Sequence, residues 1–193
     1  MLKVSEYEQK NSDVAFVNKT LKGDTEAFCI LVHKYENHLY GFLYKITLSK
    51  EDTEDIFQET LIKTYNNLYK YDSKWAFSTW LYNIAVNTCK NYYKKKKHST
   101  CSYDEIPDVP CVLSDFPEIA FEIKDNRKLI FKLINNLSFD QKTAVCLRYF
   151  NDLTYKEIGN IMDISPNAAK MKVQRAKNTL CEKLDQLIKE GVI

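Results

Sequence analysis

Residues 153–180 constrain this chain most, because they encode two capped helices joined by a turn too short to let them drift apart. Thr154 is a favoured N-cap and Glu157 follows three residues later. In that capping-box spacing each side chain satisfies a backbone N–H at the helix start. Leu153 before the cap and Ile158 after it stand where a hydrophobic staple closes. The pattern predicts a helix to about Met162, broken by Asp163-Ile164-Ser165. Ser165 then caps a second helix, with Pro166 at the first position, where no N–H is needed. Ala169, Val173, Ala176 and Leu180 recur at steps of four, three and four and form one apolar stripe. Small residues at Ala169, Ala176 and Gly159 allow close helix approach. Asn167, Lys170, Met171, Gln174, Arg175, Lys177 and Asn178 fall on the other side. From Ser165 to Leu180 there are four basic residues and no acidic one. This is the sequence form of a helix-turn-helix whose second helix enters a DNA major groove. There Arg and Lys pair with guanine edges, Gln with adenine, and both cations with phosphate. A two-helix core with a merely solvated basic face is the plainer alternative.

The rest of the chain reads as all-α. Its 193 residues hold only 4 Gly and 4 Pro, and long stretches show helical periodicity without an alternating strand series. The net charge of +2 gives no bulk argument for nucleic acid; the distribution of charge does. No apolar run approaches a membrane span, and the polar start of the chain lacks a signal-peptide core, so a cytoplasmic protein is expected. Six widely spread cysteines without a C-x-x-C pair read as reduced thiols, most of them in the core. His98, Cys101 and Cys111 lack a fourth ligand and a zinc-like spacing, so no metal is expected. No nucleophile–base constellation or phosphate-cradling glycine loop is present, which argues against an enzyme and against a cofactor.

Composition divides the chain. After the lysine run 94–97, residues 101–123 carry six acidic residues and no basic one, with prolines at 107, 110 and 117. Proline disfavours helix, so residues 99–116 are expected to be an extended acidic linker between small helical domains at 1–98 and 117–193. Four helices are expected in the first: roughly Ser12 to Leu21; from Asp24 through Tyr35 and on toward Ile46; from Ser49 with its acidic first turn; and from Ala76 or Ser78 to the lysines.

Two faces of that first domain carry chemistry. On the fourth helix Phe77, Leu81, Ile84, Ala85, Thr88 and Tyr92 line one side; Trp80, Asn83, Asn87, Lys90, Asn91 and Lys94 line another. Rings that stack on unpaired bases, amides that read base edges and lysines that hold phosphates suit single-stranded DNA. The loop residues Tyr71, Ser73, Lys74 and Trp75 adjoin this face. The alternative is that Trp75 and Trp80 are core and the lysines only solubilise. On the third helix Asp52, Asp55, Gln58, Glu59 and Lys63 lie outside the apolar stripe of Ile56, Phe57, Thr60, Leu61 and Thr64. Such a surface repels DNA and suits a basic protein partner, or is simply solvated.

Three stretches carry a family resemblance: Asp55-Ile56-Phe57-Gln58-Glu59, Trp80-Leu81-Tyr82-Asn83-Ile84-Ala85-Val86-Asn87, and Leu153-Thr154-Tyr155-Lys156-Glu157-Ile158-Gly159. In this order they resemble the extracytoplasmic-function (ECF) group of bacterial sigma-70 family factors, over nearly the whole chain. The resemblance implies a sigma region 2 domain, a linker and a sigma region 4 domain. It implies core RNA polymerase as partner, through its β′ clamp helices and β flap, together with promoter DNA and an anti-sigma factor as a candidate regulator. By resemblance, Asp52, Asp55, Gln58, Glu59 and Lys63 would meet the clamp helices. Tyr71, Ser73, Lys74, Trp75, Trp80, Asn83, Asn87, Lys90 and Asn91 would handle the −10 strand. Asn167, Lys170, Met171, Gln174, Arg175 and Lys177 would face the −35 element. The chain departs from the family's usual pattern at Gly159, at Asn167-Ala168-Ala169, at Met171 and at Trp75. A free-standing repressor and a protein adaptor are the rival readings. The acidic linker between two basic faces also suggests a self-inhibiting contact.

Overall fold

Side-chain caps punctuate the chain and fix where its helices begin. A computed structural model describes residues 6–98 and 133–189. Helix α1 (Glu6–Leu21) ends ahead of Gly23, whose φ of 99° is a conformation glycine adopts without strain. Asp24 caps α2 (Thr25–Thr47), accepting from the Ala27 N–H at 3.0 Å. Ser49 caps α3 (Lys50–Asn66), accepting from the Asp52 N–H at 3.3 Å. A single 3-10 turn (Leu68–Lys70) and a loop lead to α4 (Phe77–His98). Helix α5 (Phe139–Tyr149) opens on a capping box between Ser138 and Gln141. Helix α6 (Tyr155–Met162) opens on the expected box between Thr154 and Glu157. Helix α7 (Pro166–Lys189) begins at its proline, and Ser165 Oγ accepts from the Ala168 N–H at 3.2 Å.

The all-α expectation holds, with no strand among the described residues. Helix α1 starts at Glu6 rather than near Ser12. Glu6, Glu8, Gln9 and Lys10 are good helix formers but supply no apolar period, so patterning alone misses that turn. The expected linker at 99–116 lies outside the described residues, as do Cys101 and Cys111. Of the four described cysteines, Cys89 and Cys146 are buried, with thiols pushed up to about 12 by burial, whereas Cys29 and Cys181 are exposed. The described thiols thus divide evenly between core and surface. Among the described residues no helix is long and apolar enough to cross a membrane.

Helices α1–α4 close around Leu31, Leu39, Phe42, Leu43, Ile56, Phe77, Leu81 and Ala85, all buried. Thr60 and Thr64 take part because each hydroxyl donates to the carbonyl one turn back, at 2.7 Å, and so enters the core satisfied. Helices α5–α7 close around Ala144, Leu147, Ile158, Ile161, Ala169 and Val173. The two sets are not separate: one continuous apolar cluster runs from Leu31 and Phe42 through Tyr82 and Val86 to Ile161 and Met162. Helix α6 packs on α4 and α5 packs on α2, so a seam joins the two helical groups.

Candidate nucleic-acid interface

The turn between α6 and α7 is set by two residues. Asp163 adopts the left-handed φ of 56°, and the Ile164 N–H returns to the Gly159 carbonyl at 2.9 Å. A Cβ on Gly159 would stand 2.7 Å from the Ile164 carbonyl oxygen, so only glycine lets the turn fold this tightly against α6. Ala169, Val173 and Ala176 are buried beneath α7. Asn167, Lys170, Met171, Gln174, Arg175 and Lys177 are all exposed on its outer side. Lys172 is turned back, pairing with Asp140 at 2.8 Å, and ties α7 to α5. The free cations of the face are thus Lys170, Arg175 and Lys177, with no carboxylate partner among the described residues.

The loop before α4 is held by its own polar groups. Asp72 Oδ1 accepts from the Lys74 N–H at 2.9 Å, and the Tyr71 hydroxyl donates to the Trp75 carbonyl at 2.8 Å. The Tyr71 ring lies 5.6 Å from both Phe77 and Trp80. Trp80 is therefore half-buried, one side in an aromatic cluster, and Trp75 is 37% exposed. Ser73 and Lys74 are exposed at the loop tip. Along α4, Asn87 Nδ2 donates to Asn83 Oδ1 at 3.2 Å; Asn87 and Asn91 are exposed and Lys90 half-buried. Trp75, Trp80 and Asn83 line one cavity, whereas Lys90 lines another, beside Ile46, Phe139 and Lys142.

On α3, Asp55 and Gln58 are exposed, and Glu59 pairs with Lys63 at 2.6 Å. Lys63 also reaches Thr88 Oγ1 at 3.4 Å, fixing it against α4. Asp52 does not join them. It is buried, accepting from the Tyr92 hydroxyl at 2.7 Å and from Lys96 Nζ at 2.8 and 2.9 Å. Its place in the first turn of α3 faces the lysine-rich end of α4, a relation invisible in the local pattern.

Sequence reasoning also missed the residues of the seam. Asn151 Nδ2 donates to the Tyr82 hydroxyl at 2.5 Å, and burial pushes that phenol up to about 12. Lys142, buried in α5, donates to Asn135 Oδ1 at 3.1 Å and toward the Ile46 carbonyl at 3.5 Å. Burial also lowers the Lys142 amine from its ordinary range. Asn83 donates to the Ile161 carbonyl at 3.0 Å and the Asn160 carbonyl at 3.3 Å. No local motif marks the bonds across the seam, because Asn83, Lys142 and Asn151 find their partners Ile161, Ile46 and Tyr82 tens of residues away.

The descriptions of two family models match: "Sigma-70 region 2" over residues 31–99 and "Sigma-70, region 4" over residues 127–180. The chain is 34% identical over 185 residues to the ECF RNA polymerase sigma-E factor of Haemophilus influenzae, covering 92% of this chain and 97% of that protein. It is 32% identical to the ECF RNA polymerase sigma-E factor of Escherichia coli, with the same coverage of both chains.

The chain belongs to the ECF group of sigma-70 family factors.

A sigma factor is a non-catalytic transcription initiation factor, which explains the lack of an enzyme's constellation. Two solved structures share the fold. One is CnrH in complex with the cytosolic domain of CnrY, with a TM-score of 0.68 and 18% identity, covering 91% of this chain and 98% of that one. The other is the sigma factor RpoE with the anti-sigma factor NepR from Bartonella quintana, with a TM-score of 0.68 and 20% identity, covering 82% and 96%. The region 2 match begins inside α2 and ends with α4; the region 4 match contains α5 and α6 and most of α7.

Proposed function

We propose that this sigma factor directs core RNA polymerase to promoters through three separate surfaces. The outer side of α7, with Asn167, Lys170, Met171, Gln174, Arg175 and Lys177, reads the −35 element in duplex form. The loop and α4 face, with Tyr71, Ser73, Lys74, Trp75, Trp80, Asn83, Asn87, Lys90 and Asn91, takes the melted −10 strand. The α3 face, with Asp55, Gln58, Glu59 and Lys63, meets the β′ clamp helices of the polymerase, while Asp52 holds α3 to α4 from beneath. In this reading residues 1–98 and 117–193 act as regions 2 and 4, with 99–116 between them, and region 4 also meets the β flap. The factor works in the cytoplasm. A solved relative in fold carries an anti-sigma factor, and this sigma factor is proposed to have a partner of that kind.

The observation that carries the reading is the α7 face: six side chains, cationic or neutral and all exposed, sit on a capped helix whose back is locked by Ala169, Val173 and Ala176. That is the geometry of a recognition helix. Transcription in vitro with purified core polymerase on host DNA, with and without the sigma factor, tests it. Specific initiation is expected only with the factor. Duplex binding without initiation would mark a free-standing repressor instead.

A further inference from the structure

Three lysines meet at one place with no carboxylate to balance them. Lys90 and Lys94 stand one turn apart on α4, and Lys142 reaches the same place from α5. Together they line a cavity of about 420 Å³ between α2, α4 and α5. Like charges four residues apart on a helix repel each other. No aspartate or glutamate lines the cavity, and none pairs with any of the three among the described residues. Lys63, Lys96 and Lys172 differ, since a carboxylate holds each of them at 2.6 to 2.8 Å.

Lys142 is the most telling of the three. It is buried, and its partners are neutral: Asn135 Oδ1 at 3.1 Å and the Ile46 carbonyl at 3.5 Å. A buried ammonium without a counter-charge is costly, and burial lowers this amine from its ordinary range. Asn135 turns its oxygen to Lys142, and its Nδ2 donors have no acceptor among the described residues. The rest of the wall is apolar or aromatic, with Ile46, Leu137 and the rings of Tyr93 and Phe139, which meet edge to face at 5.9 Å.

From this arrangement we propose that the cavity between α2, α4 and α5 is a binding site for a phosphorylated small molecule with an aromatic or apolar body, of nucleotide size. A carboxylate brings one negative charge, whereas a phosphate group brings about −1.5 to −2 at neutral pH, which three amines suit better. A bare phosphate would leave most of the cavity unfilled. Sites for small organic molecules occupy about 300–1,000 Å³ and are mostly apolar, with a few placed polar groups. Here the phosphate meets Lys90, Lys94, Lys142 and the Asn135 amide, and the body lies against Ile46, Leu137, Tyr93 and Phe139. The site shares only Lys90 with the proposed −10 face, and it stands on its own geometry rather than on that reading.

The test titrates adenosine 5′-diphosphate, as probe, into the full native chain by isothermal calorimetry, with inorganic phosphate and adenosine titrated separately. One nucleotide per chain is expected to bind, and phosphate or adenosine alone about tenfold or more weakly. Lys94→Glu, at an exposed position, should weaken the nucleotide about tenfold or more, and Lys142→Met should do the same from the other helical group. Lys170→Ala with Arg175→Ala, which removes two cations elsewhere, should leave the affinity unchanged. No binding at millimolar nucleotide would overturn the proposal, as would equal affinity in native protein and Lys94→Glu. Adenosine or inorganic phosphate binding as tightly as the nucleotide would also overturn it. The rival occupants of the lysines are the acidic residues of 101–123 in the same chain. Carbodiimide cross-links from Lys90 or Lys94 to those carboxylates, unaffected by nucleotide, would decide for them and against the site. Should Lys142→Met fold poorly by circular dichroism, Lys94→Glu decides alone.

Discussion

Single residues decide how tightly this fold can close. Gly159 is the clearest case, since a methyl there meets the Ile164 carbonyl at 2.7 Å and that oxygen belongs to the backbone. Gly159→Ala gains about 1 kcal/mol of helix propensity but overpacks the turn, at a cost of about 1–3 kcal/mol. The net outcome expected is a lower melting temperature, read by circular dichroism, despite the better helix former. Asp52 is a second case. Asp52→Ala deletes the hydrogen bonds that Lys96 and the Tyr92 hydroxyl give to this carboxylate, and a loss of about 1–3 kcal/mol is expected in urea denaturation. Tyr82 gives a pH signature. Its phenol is raised from 10.0 to about 12 by burial, so the unfolded chain ionises first. Its contribution is fully present below pH 10 and is lost as pH rises from there to about 12. Alkaline unfolding in that range, shifted upward in Tyr82→Phe, is the expected result.

At the scale of elements, each surface should fail by itself. Lys170→Ala with Arg175→Ala removes two cations from α7 without touching its buried stripe. Transcription that depends on the −35 element should fall, with a shallower salt dependence of duplex binding, while affinity for core polymerase persists. Asp55→Lys reverses a charge on the exposed side of α3, and weaker association with core polymerase in a pull-down or by anisotropy is expected, with single-strand binding retained. Much at this scale was legible in the sequence. Asp24, Ser49, Thr154 and Ser165 announced four helix starts, because a cap is chemistry between residues three apart. The exposed row on α7 followed from the buried one by helical period. Asp52 was misplaced onto the exposed side for the converse reason: its partners Tyr92 and Lys96 lie 40 and 44 residues on, and no period links them.

For the whole molecule the decisive feature is the seam, which fuses two helical groups into one apolar cluster. Thermal unfolding of the native chain should therefore be a single transition by calorimetry. Asn151→Ala, which deletes the hydrogen bond to Tyr82, should begin to separate it into two. The linker's charge suggested a self-contact between basic faces. That linker lies outside the described residues; among the described ones the two groups meet through α6 on α4 and α5 on α2, by amides, a phenol, a buried lysine and apolar side chains.

Sequence by itself determined the helices, their caps, the break at Asp163-Ile164-Ser165, the basic row on α7 and, through three motifs in order, the family. All of these are relations within a few residues or along one helix, where spacing is geometry. Only the tertiary structure decided that Asp52 is a strut, that Trp80 is half claimed by Tyr71 and Phe77, and that Asn83 is held by α6 rather than free for DNA. These depend on which surfaces meet, and a carbonyl at the end of a distant helix leaves no mark in the sequence around the amide that finds it.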